Sequence, residues 1–350
     1  MIRRRLHWLL LLLMLLASGV CIIIFGIGWS ENYDYDYIVY SRRLPSDQVH
    51  VNTEVADDLA SKVRILCFVT TTVSYQDRAL AVNATWLKRC TRHLFVTSLP
   101  LPIFHPNNVL HLPDIPDGRQ HLTAKTFATL QHLYLHELGT YDWFIKADDD
   151  VYLIVENLRL MLSKLSPDDP VYLGHHFRLK VHNGYMSGGA SYVLSRGALS
   201  IMGKQGLPQN GGKCKPEEPD EDVEVGRCLE AVGVLPYSTV DTYGRETFHP
   251  WILPDTLFSS RPRRYDLHDK QAGPDCCSQL TISFHYIKPP NMYTLEMMLY
   301  HIDVYGRHPD DVILRQKLFQ PHVELVLHTE TEPSVQMMTH CDEVCVCVCV

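Results

Sequence analysis

The spacing of apolar and polar positions divides the chain into an anchor, a spacer and a folded body. Leu6 to Trp29 is an apolar run of about 24 residues without Asp, Glu, Lys or Arg, long enough at 1.5 Å per residue to cross a hydrocarbon core of roughly 30 Å. It predicts a transmembrane helix. Arg3, Arg4 and Arg5 precede it, and Glu31, Asp34 and Asp36 follow, so residues 1–5 are expected in the cytosol and the rest across the bilayer. A cleaved signal peptide, cut near Ala17, Ser18 and Gly19, is the alternative; continuation of the run through Cys21 to Phe25 favours a type II signal anchor. Residues 30–61, with Tyr33, Tyr35, Tyr37 and Tyr40 among acids, show no sustained helical period and read as a stem. From Val63 the pattern changes. Val63 to Val69 forms a short apolar strand opening at Thr70, Thr71 and Thr72, and Leu94–Val96 and Trp143–Ile145 are two more. Between them Leu122, Thr126, Leu130, Leu133, Glu137 and Leu138 trace a helical stripe, as do Leu158, Met161, Leu162 and Leu165 before Pro167. Alternating strand and helix predicts an α/β sheet with helices on its faces and ligands beyond the carboxyl ends of its strands.

Composition adds the compartment. With 46% apolar residues and a net charge of -8, the chain folds, and collagen-like, disordered and multi-pass membrane classes are excluded. No basic footprint marks a nucleic-acid partner. Roughly 250 residues remain between the ends, enough for one large domain or two small ones. Of 11 cysteines, Cys21 lies in the apolar run, and Cys67, Cys90, Cys214, Cys228, Cys276 and Cys277 lie in the body. Those six suit disulfides in an oxidising lumen, because no CxxC pair with a matching second pair points to zinc. Four more crowd the end, where Val344–Val350 reads VCVCVCV. An edge strand or a soft-metal site would use such a tail, but a translated dinucleotide repeat without function is the simpler account. Asn83, Ala84 and Thr85 form a glycosylation sequon.

The third strand runs into Lys146, Ala147, Asp148, Asp149 and Asp150. Three adjacent acids at the carboxyl end of a buried strand are costly to crowd without a cation. Alternate carboxylates can face one divalent ion that keeps positions open for phosphate oxygens. A solvated acidic turn or a helix start is the bland alternative.

The segments VRILCFVTT (63–71), NATWLKRC (83–90), GRQHLTAKT (118–126), YDWFIKADDDVYLIVENLR (141–159), GYMSGGASYVLS (184–195), EDVEVGRCLE (221–230), GRETFHP (244–250) and CCSQLTISFHY (276–286) resemble the core 1 beta-1,3-galactosyltransferase group of glycosyltransferase family 31. The resemblance runs in order from about Val63 to Arg307. It implies a GT-A fold for residues 62–310, a Golgi or ER type II membrane protein, UDP-galactose as donor, manganese, and inverting transfer to the 3-hydroxyl of GalNAc on Ser or Thr of glycoproteins; it leaves room for a homodimer. Carried over to these positions, Asp148, Asp150 and His285 are the expected metal ligands and Asp222 the base, with Glu221 as fallback. Thr70, Thr71, Arg119, Lys125 and Asp149 are candidates for the UDP pocket. Gly188 and Gly189 would let the backbone approach sugar or acceptor, and Tyr185 would stack on a ring or sit in the core. The implied disulfides are Cys67–Cys90, Cys214–Cys228 and Cys276–Cys277. Without the resemblance, Glu217, Glu218, Asp220, Glu221, Asp222 and Glu224 read as an exposed acidic helix start, and Arg119 and Lys125 as solvated charges.

Two departures stand out. Between Trp251 and Cys276, where the resembling proteins are aromatic-rich, this chain is basic and polar around Tyr265, and Ser191 stands where they tend to have Gly. The first bears on the acceptor and leaves donor and metal untouched. Two other functions compete: a non-catalytic chaperone for a related synthase, whose type lacks the three-Asp motif that this chain has, and a related beta-1,3-glycosyltransferase with another sugar.

Overall fold

The computed structural model describes residues 52–307 apart from 208–210, 215–218, 259–263 and 269–270. The predicted anchor over 6–29, the stem up to residue 51 and the VCVCVCV tail lie outside the described residues. Among the described residues no helix is long and apolar enough to cross a membrane. The last part of the expected spacer is helical: α1 spans Glu54–Lys62 and packs beside the helix α4 introduced below. Val55 and Leu59, four apart, supply a stripe too short to register as a period, and Lys62 pairs with Asp58 at 2.7 Å.

A seven-stranded sheet forms the centre. Six of its strands run parallel, among them β1 (Ile65–Thr70), β2 (Arg92–Thr97), β3 (Val109–His111) and β4 (Trp143–Asp148). Helix α2 (Gln76–Ala84) follows β1, and α3 (Leu122–His136) precedes β4. After β4 come β5 (Tyr152–Leu153), α4 (Val155–Leu162), β6 (Tyr172–Gly174), β7 (His176–Phe177), β8 (Tyr185–Met186) and β9 (Tyr192–Ser195). The rest comprises α5 (Arg196–Ile201), α6 (Glu221–Ala231), β10 (Pro236–Tyr237), β11 (Phe248–His249), α7 (Leu253–Phe258), β12 (Ser283–Phe284) and α8 (Pro289–Tyr300). The sheet order is β10-β6-β9-β4-β1-β2-β3, with β9 antiparallel to both neighbours.

Period-two alternation sorts β1 onto two cores. Ile65, Cys67 and Val69 face a cluster with Ala79 and Val82 of α2 and Leu158 and Met161 of α4, whereas Leu66 and Phe68 face one with Phe127 and Leu130 of α3 and Val225 and Leu229 of α6. Each large apolar side chain so buried contributes about 1.5–3 kcal/mol. In β4 the same alternation puts Trp143, Ile145 and Ala147 on the first face and Phe144 on the second. Lys146 and Asp148 therefore share the second face, two residues apart. Disulfides join Cys67–Cys90, Cys214–Cys228 and Cys276–Cys277.

The chain leaves β1 toward β2 on one side and returns as β4 on the other. The carboxyl ends of β1 and β4, with Thr70 opposite Asp148, thus flank a switch point, the usual place for a ligand in an open α/β sheet.

Candidate active site

A three-stranded sheet, β11-β12-β5, completes the site. β5 begins two residues after Asp150 and pairs antiparallel with β12, Phe284 opposite Tyr152. The N–H of Ile287 donates to the Asp150 carbonyl at 2.8 Å, so His285 is delivered to the acidic turn. Asp148, Asp150 and His285 each offer a ligand atom within 4.8 Å of the others. Ligand atoms on opposite sides of a divalent ion lie about 4–5 Å apart at hard-cation bond lengths, so the three fit around one ion. The His285 tautomer fits as well. Its Nδ1 lies 3.0 Å from the Pro250 carbonyl, which can only accept; Nδ1 therefore carries a proton, and Nε2, 3.4 Å from Asp150 Oδ1, is the ring nitrogen left to give a metal its lone pair once unprotonated. Trp86 Nε1 donates to the Val151 carbonyl at 2.8 Å and pins the turn.

Asp149 takes a different part. It is 5% exposed, accepts from the Thr71 hydroxyl at 2.7 Å, and burial pushes its pKa up to about 7 against the help of Thr71 and Arg78. Arg78 of α2 reaches Asp149 Oδ1 and Asp150 Oδ2, both at 3.3 Å, with its guanidinium 4.2 Å from the Tyr75 ring centre. Burial also works against ionised Asp150, but His285, Arg78 and Lys146 outweigh it and hold its carboxyl below the usual range.

The second acidic group begins α6, whose N-cap is Asp220. Asp222 Oδ2 accepts from the Gly188 N–H at 2.9 Å and Oδ1 from the Val223 N–H at 2.9 Å. Burial raises its pKa, opposed by the Gly188 N–H and Lys146. Glu221 is 3% exposed. Its Oε1 lies 2.8 Å from Lys146 Nζ, its Oε2 accepts from the Tyr192 hydroxyl at 3.1 Å, and burial pushes it up to about 7.

Gly188 and Gly189 lie between the two groups. A Cβ on Gly188 would sit 2.3 Å from Glu221 Oε1 and 3.2 Å from Asp222 Cβ; one on Gly189 would sit 2.1 Å from His285 Cε1. The glycines make room for protein side chains, which replaces the expectation that they admit a sugar. Just beyond, Ser191 has φ +70°, in the left-handed region that costs a residue with a Cβ about 1–2 kcal/mol; the glycine that the resemblance implies here would carry no such cost.

Other expectations are corrected. Arg119 is 84% exposed and pairs with Asp220 at 3.1 Å, so it caps the loop before α6 and does not join the metal group. Lys125 is buried in α3 and paired with Asp117, its charge already used. Tyr185 is 5% exposed and packs edge-on against Phe177 at 5.7 Å; Gly226 permits this contact, since a Cβ there would lie 2.4 Å from Tyr185 Cβ. Tyr185 is a core residue. Glu221 is buried against Lys146 and Tyr192 whereas Asp222 is half-buried, which favours Asp222 over the fallback, and because Glu221 and Glu224 are buried, the acidic helix start is not an exposed one. Sequence reasoning misses Arg78, a lone helical cation without a motif, and Tyr286. Tyr286 has φ +57°, is 51% exposed, and stacks on His285 with ring centres 3.7 Å apart; its place in SFHY is the available signal.

Comparisons with known proteins give the family. Residues 60–303 match the family model described as Fringe-like. The chain is 38% identical over 271 residues, 75% of its own length and 72% of the relative's, to Glycoprotein-N-acetylgalactosamine 3-beta-galactosyltransferase 1 of Xenopus laevis. It is 31% identical over 173 residues to Chondroitin sulfate synthase 3 of Homo sapiens, spanning 45% of this chain and 19% of that protein. A solved structure of an LgtC active-site mutant aligns with TM-score 0.34 and 14% identity over 71% of this chain and 99% of that one; at that score it bears on neither fold nor function. A family match across nearly all the described residues, and 38% identity over most of both chains to one relative, lead to one conclusion: the chain belongs to the Fringe-like family of glycosyltransferases.

Proposed function

We propose that this enzyme transfers galactose, with inversion, from UDP-galactose to the 3-hydroxyl of GalNAc O-linked to Ser or Thr of glycoproteins. The observation that carries the proposal is the Gly188–Gly189 step, which holds the Asp222 carboxylate on one side and the metal-ligand candidate His285 on the other. An inverting transfer needs such a pair: a carboxylate for the incoming hydroxyl and a cation site for the leaving diphosphate on the opposite side of the anomeric carbon. The relative named for galactosyl transfer to GalNAc glycoproteins supports the choice of sugars.

Asp148, Asp150 and His285 would hold manganese, whose preference for oxygen donors they largely meet. When bound, the ion supplies Lewis-acid neutralisation of the diphosphate. The chain's own residues do the rest. Asp222 takes the proton of the acceptor 3-hydroxyl while that oxygen bonds to the galactose anomeric carbon, and the bond to UDP breaks with its electron pair on the diphosphate. The two N–H groups on Asp222 orient its carboxylate and favour its charge. Arg78, with long contacts to Asp149 and Asp150, is a partly exposed cation at the motif, where Lys146 is buried, and would face the diphosphate. The sheet with a metal motif at a central strand end supports a GT-A reading of 62–310, and the apolar run and disulfides support a type II Golgi or ER enzyme.

The test is transfer by the purified full chain in detergent, with manganese or EDTA, a panel of UDP-sugars, and GalNAc-peptide acceptors. UDP-galactose-dependent product that EDTA abolishes is expected. Another preferred UDP-sugar would keep the chemistry and replace the substrate; no turnover with any donor would overturn the enzyme reading.

A further inference from the structure

Lys146 stands where the β4 pattern calls for an apolar side chain. It shares the face of Phe144, toward α3 and α6, and is 1% exposed. Burying an ammonium costs several kcal/mol unless it is paired, and an aliphatic residue would fill the place without that cost. The charge is fully used. Nζ lies 2.7 Å from Asp148 Oδ1, 2.8 Å from Glu221 Oε1 and 3.2 Å from the Gly188 carbonyl. Those three partners sit on three separate pieces of chain: the end of β4, the first turn of α6, and the loop before β9. Each is one step from the chemistry. Asp148 is a metal-ligand candidate, Glu221 precedes Asp222, and the Gly188 N–H donates to Asp222. Tyr192 on β9 holds the far oxygen of Glu221, and Gly188 lacks the Cβ that would push the pair apart.

We infer that Lys146 is a positioning residue: with Glu221 and Tyr192 it forms a buried strut that fixes the spacing between the metal ligand Asp148 and the base Asp222. The inference deepens the proposed function and rests on it for the role of Asp222, but not for the link to the metal.

The experiment uses the full chain in detergent with Lys146→Met, Glu221→Gln, their double variant, and Tyr192→Phe. Manganese affinity is measured by titration calorimetry on EDTA-stripped protein, and kcat and donor KM are measured beside it. Outer partners of metal ligands typically carry about 10–100-fold in metal affinity or activity. Both single variants are expected to weaken manganese binding and to lower kcat about tenfold or more, leaving donor KM within about threefold, and the double variant to be no worse than the poorer single. A mere electrostatic bystander gives opposite signs, since Lys146→Met removes a positive charge and Glu221→Gln a negative one. That outcome overturns the strut, as do additive losses in kcat. Tyr192→Phe changes no charge and keeps the ring, so it decides the matter should Lys146→Met fail to fold: weakened manganese binding is expected, and unchanged binding overturns the inference. If the wild type transfers no sugar, the functional reading falls, while the manganese measurements still decide the strut.

Discussion

Two runs of three acids, Asp148–Asp150 and Asp220–Asp222, do opposite things with the same charges. The first follows a strand. Its turn brings the outer pair to one point with His285 and leaves the middle residue buried on Thr71. The second starts a helix, where successive side chains fan out by about 100°. Asp220 therefore reaches Arg119 and Lys180, Glu221 reaches Lys146, and Asp222 reaches the Gly188 N–H. In both runs the middle acid is the most buried and is pushed up to about 7. Acids at a strand end converge on one ligand; acids at a helix start are dealt to separate tasks.

The comparison breaks first at Asp150. Asp150→Asn should abolish manganese binding by calorimetry and reduce transfer below detection. Asp222→Asn should lower kcat by about 10²–10⁴-fold while UDP and manganese still bind; equal loss of metal binding would show that the two runs form one site. Because Asp222 must be unprotonated to act, and burial raises its pKa, the acid limb of kcat against pH should lie above the ordinary aspartate value of 3.8, with rate falling as pH drops through it. Gly189→Ala drives a Cβ into His285; it should cost about 1–3 kcal/mol of stability in denaturant titration and weaken manganese binding. Arg78→Ala should weaken UDP binding about tenfold, as expected for a lost charge-assisted bond, and uridine binding hardly at all. The smallest effect belongs to Arg119→Ala. Its partner is shared with Lys180 and its side chain is exposed, so kcat should stay within about twofold.

Much of the first run is legible in the chain. An apolar strand followed by three acids is a local pattern that points to a cation held by alternate carboxylates, and the resemblance assigns Asp148 and Asp150 to it. His285 comes only through the resemblance to a family, since a single histidine 135 positions after Asp150 carries no pattern of its own. The basic residues Arg119 and Lys125 mislead for a related reason: their partners Asp220 and Asp117 sit on other segments. Helix α1 escapes because its apolar stripe is two residues long, and β5, β11 and β12 because two-residue strands have no period to detect.

Residue order alone specifies the alternation of strand and helix, the apolar run that would anchor the chain, the acidic end of β4 and, through resemblance, the family. These are consequences of local periodicity and burial, which are written in neighbouring residues. Which acids share a site, and which are spent inside the protein, follows only from the packed fold. That choice depends on the pairing of β5 with β12, which carries His285 to the turn, and on the buried Lys146 contacts that join β4 to α6. Such contacts form between segments far apart in the chain, and their chemistry is fixed by what each side chain meets there.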